Sequence, residues 1–105
     1  MATPLTLATT GVDDGRVVLT AAGEIDLSNI DVFVQALSTT TSEADSVPLT
    51  VDLTAVEYLD SSAINALYVI ADRIHLVVNP ILMRSLVISG LAEVVTIESA
   101  STEAQ

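Results

Sequence analysis

From Val51 to Ile64 the chain reads Val51-Asp52-Leu53-Thr54-Ala55-Val56-Glu57-Tyr58-Leu59-Asp60-Ser61-Ser62-Ala63-Ile64, and the apolar period changes inside that stretch. A run of strand character gives way to an Asp-Ser-Ser triplet. After it, Ile64, Leu67, Tyr68, Ala71 and Ile74 form an inward stripe at helical spacing. A buried strand passing straight into a helix is the mark of an α/β domain, whose helices cross between strands. The same order sets Ser61 and Ser62 in the first turn of the helix. There backbone N–H groups lack intrahelical partners and negative charge is favoured.

The remaining elements follow from the same reading. Leu5 to Thr9 alternates apolar and small polar residues, as a short half-buried strand does, and Arg16 to Ala22 reads as a second strand. The turn Gly11 to Gly15 pairs them as a hairpin. Ser28, with Asp31 three residues on, has the pattern of an N-cap in an acidic capping box. Ile30, Phe33, Val34 and Leu37 then give one helical face, predicted to end near Ser38 before a Thr/Ser/acidic loop from Thr39 to Ser46. Val47 to Leu53 is more continuous than alternating, which suits a central strand. Asp60 or Ser61 caps the next helix, and His75 to Val78 is a short strand. Asn79-Pro80 starts a helix with Met83, Leu86 and Val87 on one face, and Gly90 stops it. Val94 to Ile97 is a last strand and Glu98 to Gln105 a polar tail. The predicted order is β-β-α-β-α-β-α-β: an α/β fold with a mixed sheet and helices packed on it, in a single domain over residues 1–105 with its core at about 5–97.

Composition removes several function classes. The chain has no cysteine, so disulfides, thiol redox chemistry and cysteine-ligated metals are excluded. Its 14 Asp and Glu stand against Arg16, Arg73 and Arg84 alone, for a net charge of −11. Nucleic acid is therefore not an expected partner, since phosphate contacts need clustered basic residues. A protein partner with a basic surface is expected instead. Mean hydropathy is +0.62, yet Asn65, Asp72, Arg73, His75, Asn79 and Arg84 interrupt the apolar second half, so no direct membrane insertion is expected and the reading is cytoplasmic. No metal and no cofactor are expected. An enzyme is not expected either: there is no Gly-x-Ser-x-Gly elbow and no phosphate-binding glycine loop. Asp52 lacks the lysine that a receiver-domain acceptor wants beside its acidic pocket, and His75 reads as structural or surface.

Three short motifs in this order resemble the STAS domain, the fold of bacterial anti-sigma factor antagonists: Gly23-Glu24-Ile25-Asp26 after the second strand, Asp60-Ser61-Ser62 at a helix start, and Ser89-Gly90-Leu91 at the close of the last helix. The likeness runs from about Leu5 to about Ile97. It implies a protein that binds an anti-sigma factor, itself a serine kinase, releases a sigma factor, and is switched off by phosphorylation until a phosphatase restores it. Carried over, the phosphoacceptor falls on Ser62, with Ser61 as the second choice, and Asp26, Asp60, Ser61, Ser62 and Ala63 fall on the partner-binding surface. Phosphate at the second helical position is expected to disturb the partner and leave the fold intact.

The chain departs from the family pattern twice. Ala63 stands where the family usually has glycine, which favours the helix by roughly 1 kcal/mol and adds a methyl where a partner backbone would approach. The segment from Ala66 to Asn79 is short, with no glycine turn, so either the helix ends early, near Ala71, or the fourth strand is abbreviated. These departures keep an alternative open: an accessory STAS subunit docked on a membrane transporter's ATPase.

Overall fold

The computed structural model describes residues 4–11, 16–44 and 48–100. Its elements are β1 (Thr6–Gly11), β2 (Val17–Ile25), α1 (Ile30–Ala44), β3 (Leu49–Leu59), α2 (Ser61–Val69), β4 (Ile74–Val78), α3 (Met83–Ile88) and β5 (Thr96–Ser99). Single 3-10 turns at Ala71–Arg73, Pro80–Leu82 and Leu91–Glu93 join the later elements. The sheet order is β1-β2-β3-β4-β5. β1 lies antiparallel to β2 and every other pair is parallel, so the sheet is mixed, as expected.

Side-chain alternation sets the layers. Leu19, Ala21, Val51, Leu53, Leu76 and Val78 point to one face and are buried. Their neighbours Thr20, Ala22, Asp52 and Val77 point to the other and remain partly exposed. The helices therefore cover one face, where Phe33 and Leu37 of α1, Ala63 and Leu67 of α2, and Leu86 of α3 complete the core. The period-2 pattern of β2 and the helical stripes converge on one apolar layer.

Two bulges distinguish β3 from an ideal strand. Its register against β2 shifts by one residue between Thr20 and Ala22, and again between Gly23 and Glu24. The Asp52 carboxylate accepts from Thr54 N at 3.0 Å and from Thr54 Oγ1 at 2.7 Å, which ties down the chain at the first shift. At the second, Gly23 adopts φ +100°, a left-handed conformation open to glycine without steric cost. β3 consequently runs on to Leu59, past the expected end at Leu53, and delivers Asp60 beside the end of β2.

Several boundaries differ from expectation. α1 continues to Ala44 rather than stopping near Ser38, because its buried face runs on through Leu37, Thr40 and Ala44; within it Thr40 Oγ1 donates to Ala36 O at 2.7 Å and Thr41 Oγ1 donates to Leu37 O. Thr39 to Ala44 is thus helix, not loop. Ser28 is not the N-cap of α1. The N–H groups of Val32 and Phe33 bond to Asn29 O, while Ser28 bonds to Asp26. Tyr68, expected to face inward, is 46% exposed, and Ala63 is fully buried. Ile74 is buried as a strand residue rather than as part of the helix.

The short segment resolves as an early helix end. α2 stops at Val69, the Ala71–Arg73 turn follows, and β4 starts at once. β5 lies two residues beyond the expected strand, so Glu98 and Ser99 belong to the sheet. The expected tip of the first hairpin, Val12 to Gly15, falls outside the described residues, as do Asp45 to Val47 and the end of the polar tail, residues 101–105.

Candidate functional site

The parallel pairing of β2 with β3 brings two strand exits side by side. β2 ends at Ile25 and passes into the loop Asp26-Leu27-Ser28-Asn29; β3 ends at Leu59 and passes into Asp60 and α2. Asp60 N donates to Ile25 O at 3.2 Å, so the two exits are joined at their base.

The Asp60 side chain joins them again above it. Its Oδ1 accepts from Ala63 N at 3.1 Å, the N-cap bond of α2, and from Ser62 Oγ at 2.5 Å. Its Oδ2 accepts from Leu27 N at 3.1 Å, across to the neighbouring loop. One carboxylate thus caps a helix, orients a serine hydroxyl and fixes a loop. The Ser62 hydroxyl is the largest influence on Asp60 and lowers its pKa. Partial burial pushes upward, the N–H groups of Ala63, Ser62 and Leu27 add to the lowering, and the carboxyl is held below its ordinary range.

The loop has its own brace. Asp26 Oδ1 accepts from Ser28 N at 2.9 Å and from Ser28 Oγ at 2.5 Å, an Asx turn. Asn29 Oδ1 accepts from Asp26 N at 3.0 Å while its Nδ2 donates to Glu24 O at 3.0 Å. These bonds leave Leu27 at the loop tip with 76% of its surface exposed. A leucine held out by hydrogen bonds on both sides costs solvation, and a partner that covers it recovers that cost.

The sequence-derived site residues separate by position. Asp60 is the cap, Ser61 is exposed at the first helical position, and Ser62 is half-buried at the second with its hydroxyl engaged. Asp26 lies on the loop that Asp60 holds, and its own hydrogen bonds go to Ser28. Ala63 is fully buried, so its methyl fills core space and presents nothing to a partner. Leu27 and Asn29 were not legible as site residues. Only the Asn at 29, as good a capping type as Ser28, gave any signal. Among the described residues no group of three His, Asp or Glu side chains converges as metal ligands would, and no helix is long and apolar enough to cross a membrane.

The sequence pattern of the STAS domain matches residues 7–104. The chain belongs to the STAS family. No curated protein sequence matches it. Among solved structures it is similar to an anti-sigma factor antagonist from Mycobacterium paratuberculosis, with 26% identity and a TM-score of 0.78 over 90% of this chain and 86% of that one. The anti-sigma factor antagonist SpoIIAA in its unphosphorylated form shares the fold at 19% identity and a TM-score of 0.66, covering 92% and 90%. The STAS domain of an antagonist from Rhodobacter sphaeroides does so at 13% and 0.52, covering 91% and 85%. The mixed five-stranded sheet with helices on one face is thus the STAS fold.

Proposed function

We propose that this STAS domain is an anti-sigma factor antagonist: it binds an anti-sigma factor, frees a sigma factor, and is released when Ser62 is phosphorylated. One observation carries the reading. The hydroxyl of Ser62 is oriented by the same carboxylate that holds the adjacent loop, on a backbone similar to that of the Mycobacterium paratuberculosis antagonist. Leu27, Asp26, Asp60 and Ser61 would form the contact around it, and the net charge of −11 suits a basic partner surface.

Phosphorylation replaces the Ser62 O–H by an O–P bond, with the phosphoryl group supplied by ATP on a kinase and the proton passed to the kinase's base. Ser62 Oγ can then no longer donate to Asp60. The phosphate carries about 1.5–2 negative charges. A helix N-terminus stabilises such charge by about 0.3–1 kcal/mol, whereas like unit charges 4 Å apart cost about 1 kcal/mol in water and about 4 kcal/mol at the effective dielectric of a protein surface. Repulsion wins, so the phosphate turns away from Asp60 into the space a partner would fill. The core side of α2, Ala63 and Leu67, is untouched, so the domain stays folded.

The transporter-subunit alternative draws on Ala63 and the short segment 66–79. Ala63 is core packing and the segment is closed by a 3-10 turn, so neither calls for a different partner. The test is phosphopeptide mapping after incubation with a purified anti-sigma factor kinase and ATP, with titration of Ser62→Ala and Ser62→Asp against that kinase. Labelling at Ser62, retained binding by the alanine variant and at least tenfold weaker binding by the aspartate variant are expected. Labelling confined to Ser61, or equal binding by both variants and the wild type, overturns the assignment.

A further inference from the structure

A groove of about 540 Å3 runs between α1 and α2, in the size range of small-molecule sites. Both helices follow parallel strands and return along the sheet, so they lie side by side in the same direction. On α2 and the following turn the lining residues run from Ser62 through Ala66, Val69 and Ile70 to Arg73; on α1 they run from Ile30 to Ser42. Twelve helical steps on α1 span about 18 Å at 1.5 Å per residue, and the α2 side gives about the same length with its last turn at about 2 Å per residue. The groove is therefore a straight channel, and its two ends differ chemically.

Its walls are mainly apolar, interrupted by Ser38 on α1 and Asn65 on α2, and open to water. Val69 is 74% exposed and Val34 is 44% exposed, and Ile30 and Ile70 continue the same surface. At the far end Thr41, Ser42 and Arg73 line the groove, and Arg73 makes no ion pair with any described residue. That arginine stands out in a chain with 14 acidic residues and three basic ones. With the Thr41 hydroxyl already donating to Leu37 O, the donors left for a carboxylate at this end are the planar guanidinium and the Ser42 hydroxyl.

We propose that this groove binds a linear amphipathic carboxylate of the fatty-acid class, its head on Arg73 and its alkyl chain along Ile70, Val69 and Val34 toward Ser62. An extended chain advances roughly 1.25 Å per carbon, given C–C bonds near 1.5 Å, so about 14 carbons fill the channel. The assignment does not depend on phosphorylation of Ser62 and stands or falls without it. Charge decides the head group. The domain as a whole attracts cations, but ions beyond about 8–10 Å are screened at physiological salt, and Arg73 is the one charged side chain among the residues that line the groove.

The experiment is titration of the full chain with tetradecanoate below its micelle concentration, followed by calorimetry and by amide and methyl NMR. Shifts centred on Val34, Val69, Ile70 and Arg73 are expected. Arg73→Ala should weaken binding about ten- to a hundredfold, the range of a lost charge-assisted hydrogen bond, and tetradecanol should show the same deficit against the wild type. Each methylene removed from the acid should cost about threefold to fourfold. Val69→Asp, at an exposed position that leaves the core alone, should abolish binding. Tetradecyltrimethylammonium is the control: binding as tight as the acid's would mean that overall charge rules, and overturns the proposal. So do shifts confined to the exposed Ile81 and Ile88, an unchanged affinity in Arg73→Ala, or no binding up to the solubility limit. Loss of anti-sigma factor binding in Val69→Asp without any acid binding in the wild type would assign the groove to a protein partner and equally overturn it.

Discussion

The starts of α2 and α3 occupy equivalent places in successive strand-to-helix units, yet only one carries serine hydroxyls beside its cap. Asp60 and Asn79 each cap the chain after a parallel strand, accepting from Ala63 N at 3.1 Å and from Ile81 N at 3.2 Å. Each also reaches sideways, Asp60 to Leu27 N and Asn79 Nδ2 to Val56 O at 3.5 Å. The differences lie in the next two residues. After Asp60 come two serines, one exposed and one bonded to the cap. After Asn79 come Pro80, which has no N–H, and the exposed Ile81, which has no hydroxyl. Asp60 opens nine residues of α-helix, whereas Asn79 opens a 3-10 turn before six residues of α3. The same capping physics thus yields a plain joint in one place and a hydroxyl-bearing, loop-coupled corner in the other.

The comparison is tested hardest in the core. Leu67→Ala and Leu86→Ala each remove a fully buried side chain, one beneath each helix, and each should lower the urea-unfolding free energy by about 2–5 kcal/mol. A much smaller loss for Leu86 would mean that α3 is held by its caps instead. At the caps, Asp60→Ala should cost about 1–2 kcal/mol and Asn79→Ala about 1 kcal/mol or less, since only the former also frees a hydroxyl and a loop N–H. A reversed order would break the claim that Asp60 does more. Ala63→Gly, at a fully buried helical position, should cost about 1 kcal/mol and lower the melting temperature by about 4–8 °C.

The smallest effect is a pH dependence. The Asp60 pKa is lowered in the folded state, chiefly by the Ser62 hydroxyl. Its stabilising contribution is therefore present above the unfolded value near 3.8 and is lost as pH falls through the lowered folded value. Asp60→Asn should thus be less stable than wild type at pH 7, with the gap closing below about pH 3.8 in acid-titrated denaturation curves. A gap that widens toward low pH would contradict the sign.

Elements with uninterrupted local signals were legible from the residues. Gly90 adopts φ +86° where a helix stop was read, Asn79-Pro80 opens a turn, and Asp60 caps α2. The misread positions are those where tertiary bonds override local preference. The threonines of α1 are poor helix formers by propensity, but burial of Thr40 and Ala44 in line with Phe33 and Leu37 keeps the helix running. β3 lost its alternation because two bulges shift its phase, leaving Glu57 and Tyr58 exposed before Leu59 returns to the core. The site divides in the same way. Asp60 and Ser62 belong to one local motif and could be read together, whereas Leu27 joins them through a bond spanning 33 positions that no local pattern encodes.

In this sheet the spatial order of the strands is their order along the chain. A nascent chain leaving the ribosome can therefore assemble by accretion. The β1–β2 hairpin forms first, and each later strand docks on the edge its predecessor has just supplied. No strand has to be inserted between two already paired, so no early pairing must be undone. During synthesis only one edge is ever growing, while the outer edge of β1 stays open throughout, so at each stage mispairing has those two edges to attack.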